Sequence, residues 1–164
     1  MNSQNEASGN TSEKRSMAGE LVRKLVTERN EVLVLFCRLA GLDPFEDKPA
    51  RTTPAELLES FCQKLVDYIA AGHFILYDRI LRGEERRDEI RKVAEEVYPA
   101  IASTTEAALD FNDKYNCGDH CQITNSLFQD LSKLGEVLAQ RIELEDQLAR
   151  LLCQSCNLRQ ASAG

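Results

Sequence analysis

The chain has 164 residues, 43% of them apolar, 29% charged and 6% aromatic, with no Trp; that is the length of one domain, and the composition suits a helix bundle with a Leu, Val, Ile and Ala core better than a sheet. Twenty basic against 27 acidic residues leave a net charge of −7, which disfavours direct binding to a phosphate backbone, because proteins that do so carry a basic face. The apolar runs are far too short to span a bilayer and the polar N-terminus does not read as a secretory signal, so the expected compartment is the cytoplasm.

Residues 1–15, MNSQNEASGNTSEKR, are polar and aperiodic and read as a disordered tail. One helical-bundle domain is expected over 16–157, followed by a disordered C-terminus at 158–164. The first helix carries Leu21, Leu25, Val32, Phe36 and Leu39 on one side, with Val22, Val26, Leu33 and Ala40 beside them. Gly41 stops it. DPFEDKPARTTP is a proline-rich connection. Thr53 ahead of Pro54, with Glu56 three residues on, spells a capping box at the start of the second helix.

That second helix is apolar at helical spacing through Leu58, Phe61, Cys62, Leu65, Val66 and Ile69. It breaks at Gly72 and resumes as a kinked continuation from His73 to Leu81. A third helical region begins after Gly83 and carries Ile90, Val93, Val97 and Ile101; a break is expected at Pro99, before Ala107, Ala108, Leu109 and Phe111 resume the pattern. NDKYNCGDHC is a turn-rich connection. The last helix, from about Asp119 to Cys156, is expected to be the longest. Its seam is Leu127, Leu131, Leu134 and Leu138, then Arg141 and Glu145, then Leu148 and Leu152, alternating steps of three and four. The fold class is all-α: an antiparallel up-down helix bundle with a kinked second helix and a long C-terminal helix.

Polar residues interrupt these apolar patterns. Asp67 sits inside an apolar run, where a carboxylate costs free energy unless it finds a partner or points outward. Arg141 and Glu145 fall on the Leu seam one turn apart, either as a structural ion network that fixes helix register or as a polar opening where a partner docks. Asp67 itself could be the internal partner of Arg29 or Arg141. His73 would cap freed backbone groups at the break. It could alternatively be a phosphoacceptor, as in histidine phosphotransfer bundles, although Phe74 and Ile75 crowd it and Lys64 is more than two turns away.

The six cysteines invite a metal or disulfide reading, which a cytosolic compartment disfavours for disulfides. Cys37 and Cys62 read as small core hydrophobes. Cys117, His120 and Cys121 form one zinc-like half-site and Cys153 with Cys156 another. Along a continuous helix the two would stand about 48 Å apart, too far for one ion. The expectation is free thiols, with no metal and no cofactor. No phosphate-cradling loop and no nucleophile–His–Asp order is visible, so the chain does not read as an enzyme.

Three stretches carry a resemblance: LVDYIAAGHFILYDRI (Leu65–Ile80), ERNEVLVLFCRLAGLDP (Glu28–Pro44) and LSKLGEVLAQRIELEDQL (Leu131–Leu148). A fainter match runs from Tyr98-Pro99 through Thr105 to Asp113. In this order and spacing they resemble the Rsd/AlgQ family of bacterial anti-sigma factors. Leu25 stands where that family usually has Trp, and the segments after Asn116 and after Leu152 have no counterpart in it. The resemblance implies a stationary-phase anti-sigma factor that holds the C-terminal DNA-binding region of the primary sigma subunit of RNA polymerase. It would keep sigma from core enzyme and from the −35 promoter element, without touching nucleic acid or membrane itself, and with room for weak self-association.

The expected sigma contacts are Asp67, Tyr68, His73, Phe74 and Asp78, and the expected polar network within the bundle is Arg29, Arg141, Glu145 and Asp146. The charge distribution is compatible: Glu106 to Arg150 holds nine acidic and four basic residues, and an acidic helical surface suits a basic DNA-binding domain. The alternatives are a phosphotransfer-type signalling bundle using His73 and a helical adaptor with another partner.

Overall fold

Each long helix forms because its apolar residues recur every three or four positions and leave a stripe to bury. The structure, a computed structural model, describes residues 5–42, 53–77, 80, 88–116, 123 and 125–152. Helix α1 is Asn5–Leu39, α2 is Pro54–Gly72, α3 is Asp88–Tyr115 and α4 is Asn125–Leu152. A π turn, His73–Tyr77, continues α2. No strand occurs among the described residues, and the all-α bundle is as expected.

Cross-helix pairs fix the register. Lys64 meets Glu31 at 2.6 Å and the Phe36 and Phe61 rings are 6.1 Å apart, so α1 and α2 run antiparallel. Phe61 stands edge-on to Phe111 at 5.8 Å, joining α2 to α3. Lys114 reaches Asp130 at 2.6 Å between α3 and α4. The circle closes where Arg29 of α1 meets Asp146 of α4 at 2.8 Å and Val22 packs with Ala149. The core runs through all four helices, with Leu25, Leu58, Phe61, Leu65, Leu127, Leu131 and Leu148 at its centre.

The helix ends follow local chemistry. The Thr53 hydroxyl accepts from the Glu56 N–H at 3.2 Å, and the Glu56 carboxylate accepts from the Thr53 N–H at 2.9 Å, the reciprocal box that starts α2. Gly41 closes α1 with φ +74°. This left-handed turn lets the Leu42 N–H bond Cys37 O at 2.8 Å and the Gly41 N–H bond Arg38 O at 3.2 Å.

The structure corrects one local expectation, at Pro99. The α-helical repeat ends at Gly72, where the break is expected: the His73 N–H still reaches the Ile69 and Ala70 carbonyls, and the continuation widens to the π form, which turns Ile75 and Leu76 inward. Helix α3 passes through Pro99 unbroken. Pro99 and Glu95 are both exposed, so water can take the carbonyl that the missing N–H leaves free. Of the expected 119–156, the structure describes α4 over the 28 residues Asn125–Leu152; helix α1 has 35 residues. It starts at Asn5, inside the stretch that composition reads as a tail; once a helix is nucleated, adding polar turns costs little. The expected C-terminus at 158–164 lies outside the described residues, as do Cys117, His120, Cys121, Cys153 and Cys156. The Cys62 thiol is buried and its pKa is pushed up to about 11 by that burial, which leaves it a small core hydrophobe.

Leu65 is fully buried at the centre of α2. Leu65→Ala is expected to cost about 2–5 kcal/mol. Its melting temperature should fall by roughly 4–20 °C; an unchanged melt would show that this stripe is not the core.

Candidate functional site

Residues 65–77 present two different faces, because successive helical positions turn by about 100°. Leu65, Tyr68, Ile69, Gly72, Ile75 and Leu76 point into the bundle, whereas Asp67, His73 and Phe74 are exposed. Asp67 is therefore at the surface, where a carboxylate needs no internal partner. Arg29 and Arg141, its candidate internal partners, instead meet Asp146 and Glu145.

The inward face carries a buried polar network. On α4, Arg141 (1% exposed) donates from Nε to Glu145 Oε1 at 2.8 Å, and Glu145 is fully buried. From Nη1 the same guanidinium donates to Thr104 Oγ1 at 3.1 Å and Thr105 Oγ1 at 2.8 Å on α3. Each hydroxyl in turn donates to the Ile101 carbonyl, which leaves a lone pair aimed at the guanidinium. Tyr68, 1% exposed, donates its phenol proton to Glu145 Oε2 from α2. Its ring lies 5.6 Å from the Arg141 guanidinium carbon. Gly72 completes the enclosure: a Cβ there would stand 3.1 Å from both Arg141 Nη2 and Glu145 Oε1. Arg29, also buried, reaches Asp146 beside this network rather than within it.

The electrostatics follow from burial. Loss of water raises the Glu145 pKa above the ordinary carboxylate range, against the opposing pull of Arg141, the Tyr68 hydrogen bond and Arg29. Burial, then the Glu145 charge, holds the Tyr68 phenol well above its usual range, so it stays a neutral donor. Together these groups tie three helices at one level of the bundle, an arrangement that fixes register and offers no reactive group to solvent.

The outward face is built differently. Phe74 is 66% exposed, with the His73 ring edge-on at 5.3 Å. Six residues before the π segment begins, Asp67 shares the field of Lys64 with Glu28 and Glu31 of α1. The sequence therefore named residues on two sides of α2: Asp67, His73 and Phe74 are each exposed, but Tyr68 belongs to the interior network. Asp78 lies outside the described residues. Thr104 and Thr105 were missed as partners of Arg141. Thr104 had a readable signal, a polar residue on the apolar stripe of Val97, Ile101, Ala108 and Phe111. Among the described residues no cluster of three or more His, Cys, Asp or Glu could hold a metal ion, and no helix is long and apolar enough to cross a membrane.

Residues 5–153 match the family described as regulator of RNA polymerase sigma(70) subunit, Rsd/AlgQ. The chain is similar to proteins called regulator of sigma D. That of Yersinia pseudotuberculosis is 34% identical over 143 residues, 84% of this chain and 82% of the relative. The Yersinia enterocolitica protein is 34% identical over 140 residues, 84% and 83% of the two chains. The Shigella dysenteriae protein is 31% identical over 152 residues, 92% and 94%. No solved structure matches the chain.

Removing one member of the buried pair strands the other. Arg141→Ala and Glu145→Ala should each cost about 3–5 kcal/mol of stability, whereas Arg141→Met/Glu145→Leu should cost less than either. A double variant less stable than both would contradict this. The sign of the pH effect follows from the raised Glu145 pKa. Its contribution to stability is complete below the ordinary carboxylate range and is lost as pH rises through the raised value. The melting advantage of the native protein over Glu145→Gln should therefore shrink with rising pH in a series of thermal melts; an advantage that grows would reverse the assignment.

Proposed function

The chain belongs to the Rsd/AlgQ family of regulators of the RNA polymerase sigma(70) subunit, and from that premise we infer that it binds the C-terminal DNA-binding region of the primary sigma factor through the outward face of α2 and the π turn. The observation that carries this reading is the exposure of Asp67, His73 and Phe74 along one stretch of α2 and the π turn, within a chain of net charge −7. Asp67 supplies a carboxylate, and Glu28 and Glu31 add negative potential from α1. Phe74 supplies an exposed aromatic anchor of the kind that interfaces concentrate their binding energy on.

A sigma domain that docks on DNA must present a positive surface to phosphate. An acidic face that covers this surface excludes the −35 element by direct competition for the same side chains. It also blocks docking on core polymerase wherever the two footprints overlap, freeing core for other sigma subunits. Binding is stoichiometric in this reading, takes place in the cytoplasm where the polymerase works, and calls on no cofactor and no catalysis. His73 is exposed, as a phosphoacceptor must be, but the Phe74 ring packs edge-on against it, and an interface role uses both rings.

Titrating salt against binding of the purified sigma C-terminal region should show affinity falling as salt rises, since exposed charges are screened within about 10 Å at 0.1 M. Salt-independent affinity would remove the electrostatic part, and no binding at low salt would remove the function. A desolvated charge pair broken on one side costs about 2–5 kcal/mol. Asp67→Ala should accordingly weaken sigma binding by about tenfold or more, while its melting temperature stays near that of the native protein because the side chain is exposed. A stable Asp67→Ala with native affinity would take Asp67 out of the interface.

A further inference from the structure

Asp67 and Tyr68 are neighbours in sequence with opposite fates, one exposed and one 1% exposed. Whichever way Tyr68 is held, Asp67 is carried about 100° around the helix from it. Tyr68 is held firmly: its hydroxyl donates to the buried Glu145, and its ring lies 5.6 Å from the Arg141 guanidinium carbon. Four residues on, on the same inward line, Gly72 presents bare backbone to the same two side chains, where a Cβ would stand a tight 3.1 Å from each. The π turn that exposes His73 and Phe74 begins at the next residue.

We propose that Tyr68 and Gly72 are positioning residues for the sigma-binding face: anchored to Glu145 and Arg141, they set the rotation of α2 and its closeness to α4, and so aim Asp67 and Phe74 at the partner. The proposal rests on the sigma-binding reading above. Turning α2 by about 20° would carry a group about 6 Å from its axis through about 2 Å, beyond the span over which a hydrogen bond keeps its strength. Tyr68 thus acts on sigma without touching it. The two ends of this lever are made of different chemistry, a neutral phenol in a closed ion network and a carboxylate in water, so each can be altered alone.

The test is a double-mutant cycle, read by isothermal titration of the full-length chain with the purified sigma C-terminal region. Tyr68→Phe removes one oxygen and keeps the ring; it should weaken binding by about fivefold or more, yet weaken Asp67→Ala by less than about twofold further, because a misaimed carboxylate that is already absent cannot be lost again. A purely structural role predicts the same factor in both backgrounds, and that result would overturn the proposal. Tyr68→Phe with native affinity would also overturn it. Gly72→Ala, which pushes α2 away from Arg141 and Glu145, should repeat the pattern and replaces Tyr68→Phe in the cycle if the latter does not melt cooperatively. If the native chain fails to bind the sigma fragment, the functional reading falls and takes this inference with it. If the native chain binds and only the cycle fails, the positioning role alone falls.

Discussion

The hydrogen bond from Tyr68 to Glu145, with Arg141 beneath it, is the constraint on which the arrangement of the bundle depends. Apolar stripes alone bring helices together but tolerate sliding by a turn and rotation by tens of degrees. A buried carboxylate does not tolerate either, because each of its oxygens must keep a donor. Glu145 receives one from its own helix and one from α2, and Arg141 extends the requirement to Thr104 and Thr105 on α3. Three helices are thereby held at a single register. The cost is desolvation, visible in the raised Glu145 pKa, and a core of Leu, Ile and Phe above and below it supplies the stability that such a network does not.

That arrangement explains why one short segment can serve two ends. Around residues 67–74 the inward positions answer to the ion network and the outward ones to solvent, with the π turn allowing both His73 and Phe74 to reach the surface while Ile75 and Leu76 stay buried. An ordinary α-helical continuation would rotate these four residues differently, since the π turn adds an extra residue to the repeat. The surface it produces mixes a large exposed aromatic with carboxylates from two helices. Such a mixture suits a partner whose own face is basic and amphipathic rather than one that is purely apolar.

Much of the fold was legible because periodicity and end signals agree. The Leu seam of α4, the Thr53 capping box and the Gly41 stop are each local patterns with local causes, and the structure reproduces them. What local patterns cannot carry is a partner from another helix. Arg141 and Glu145 were recognisable as polar residues on an apolar seam, yet nothing in their own segment names Tyr68 or Thr105 as the groups that satisfy them. Tyr68 could be read toward the surface because a phenol is amphipathic and suits either side. Pro99 misled for a different reason: its effect on a helix depends on whether the orphaned carbonyl faces water, which the sequence around it does not state.

If the outward face of α2 and the π turn meets sigma, that face should be covered in the complex while the inward face of the same segment stays locked within the bundle throughout. Hydroxyl-radical footprinting of the chain, alone and in complex with the sigma C-terminal region, reads both faces side chain by side chain. Oxidation of the exposed His73 and Phe74 should slow in the complex, while Phe128, exposed on α4, is oxidised at its free rate and Tyr68 is protected in both states. Unchanged oxidation of Phe74 in a complex that demonstrably forms would contradict the proposed contact.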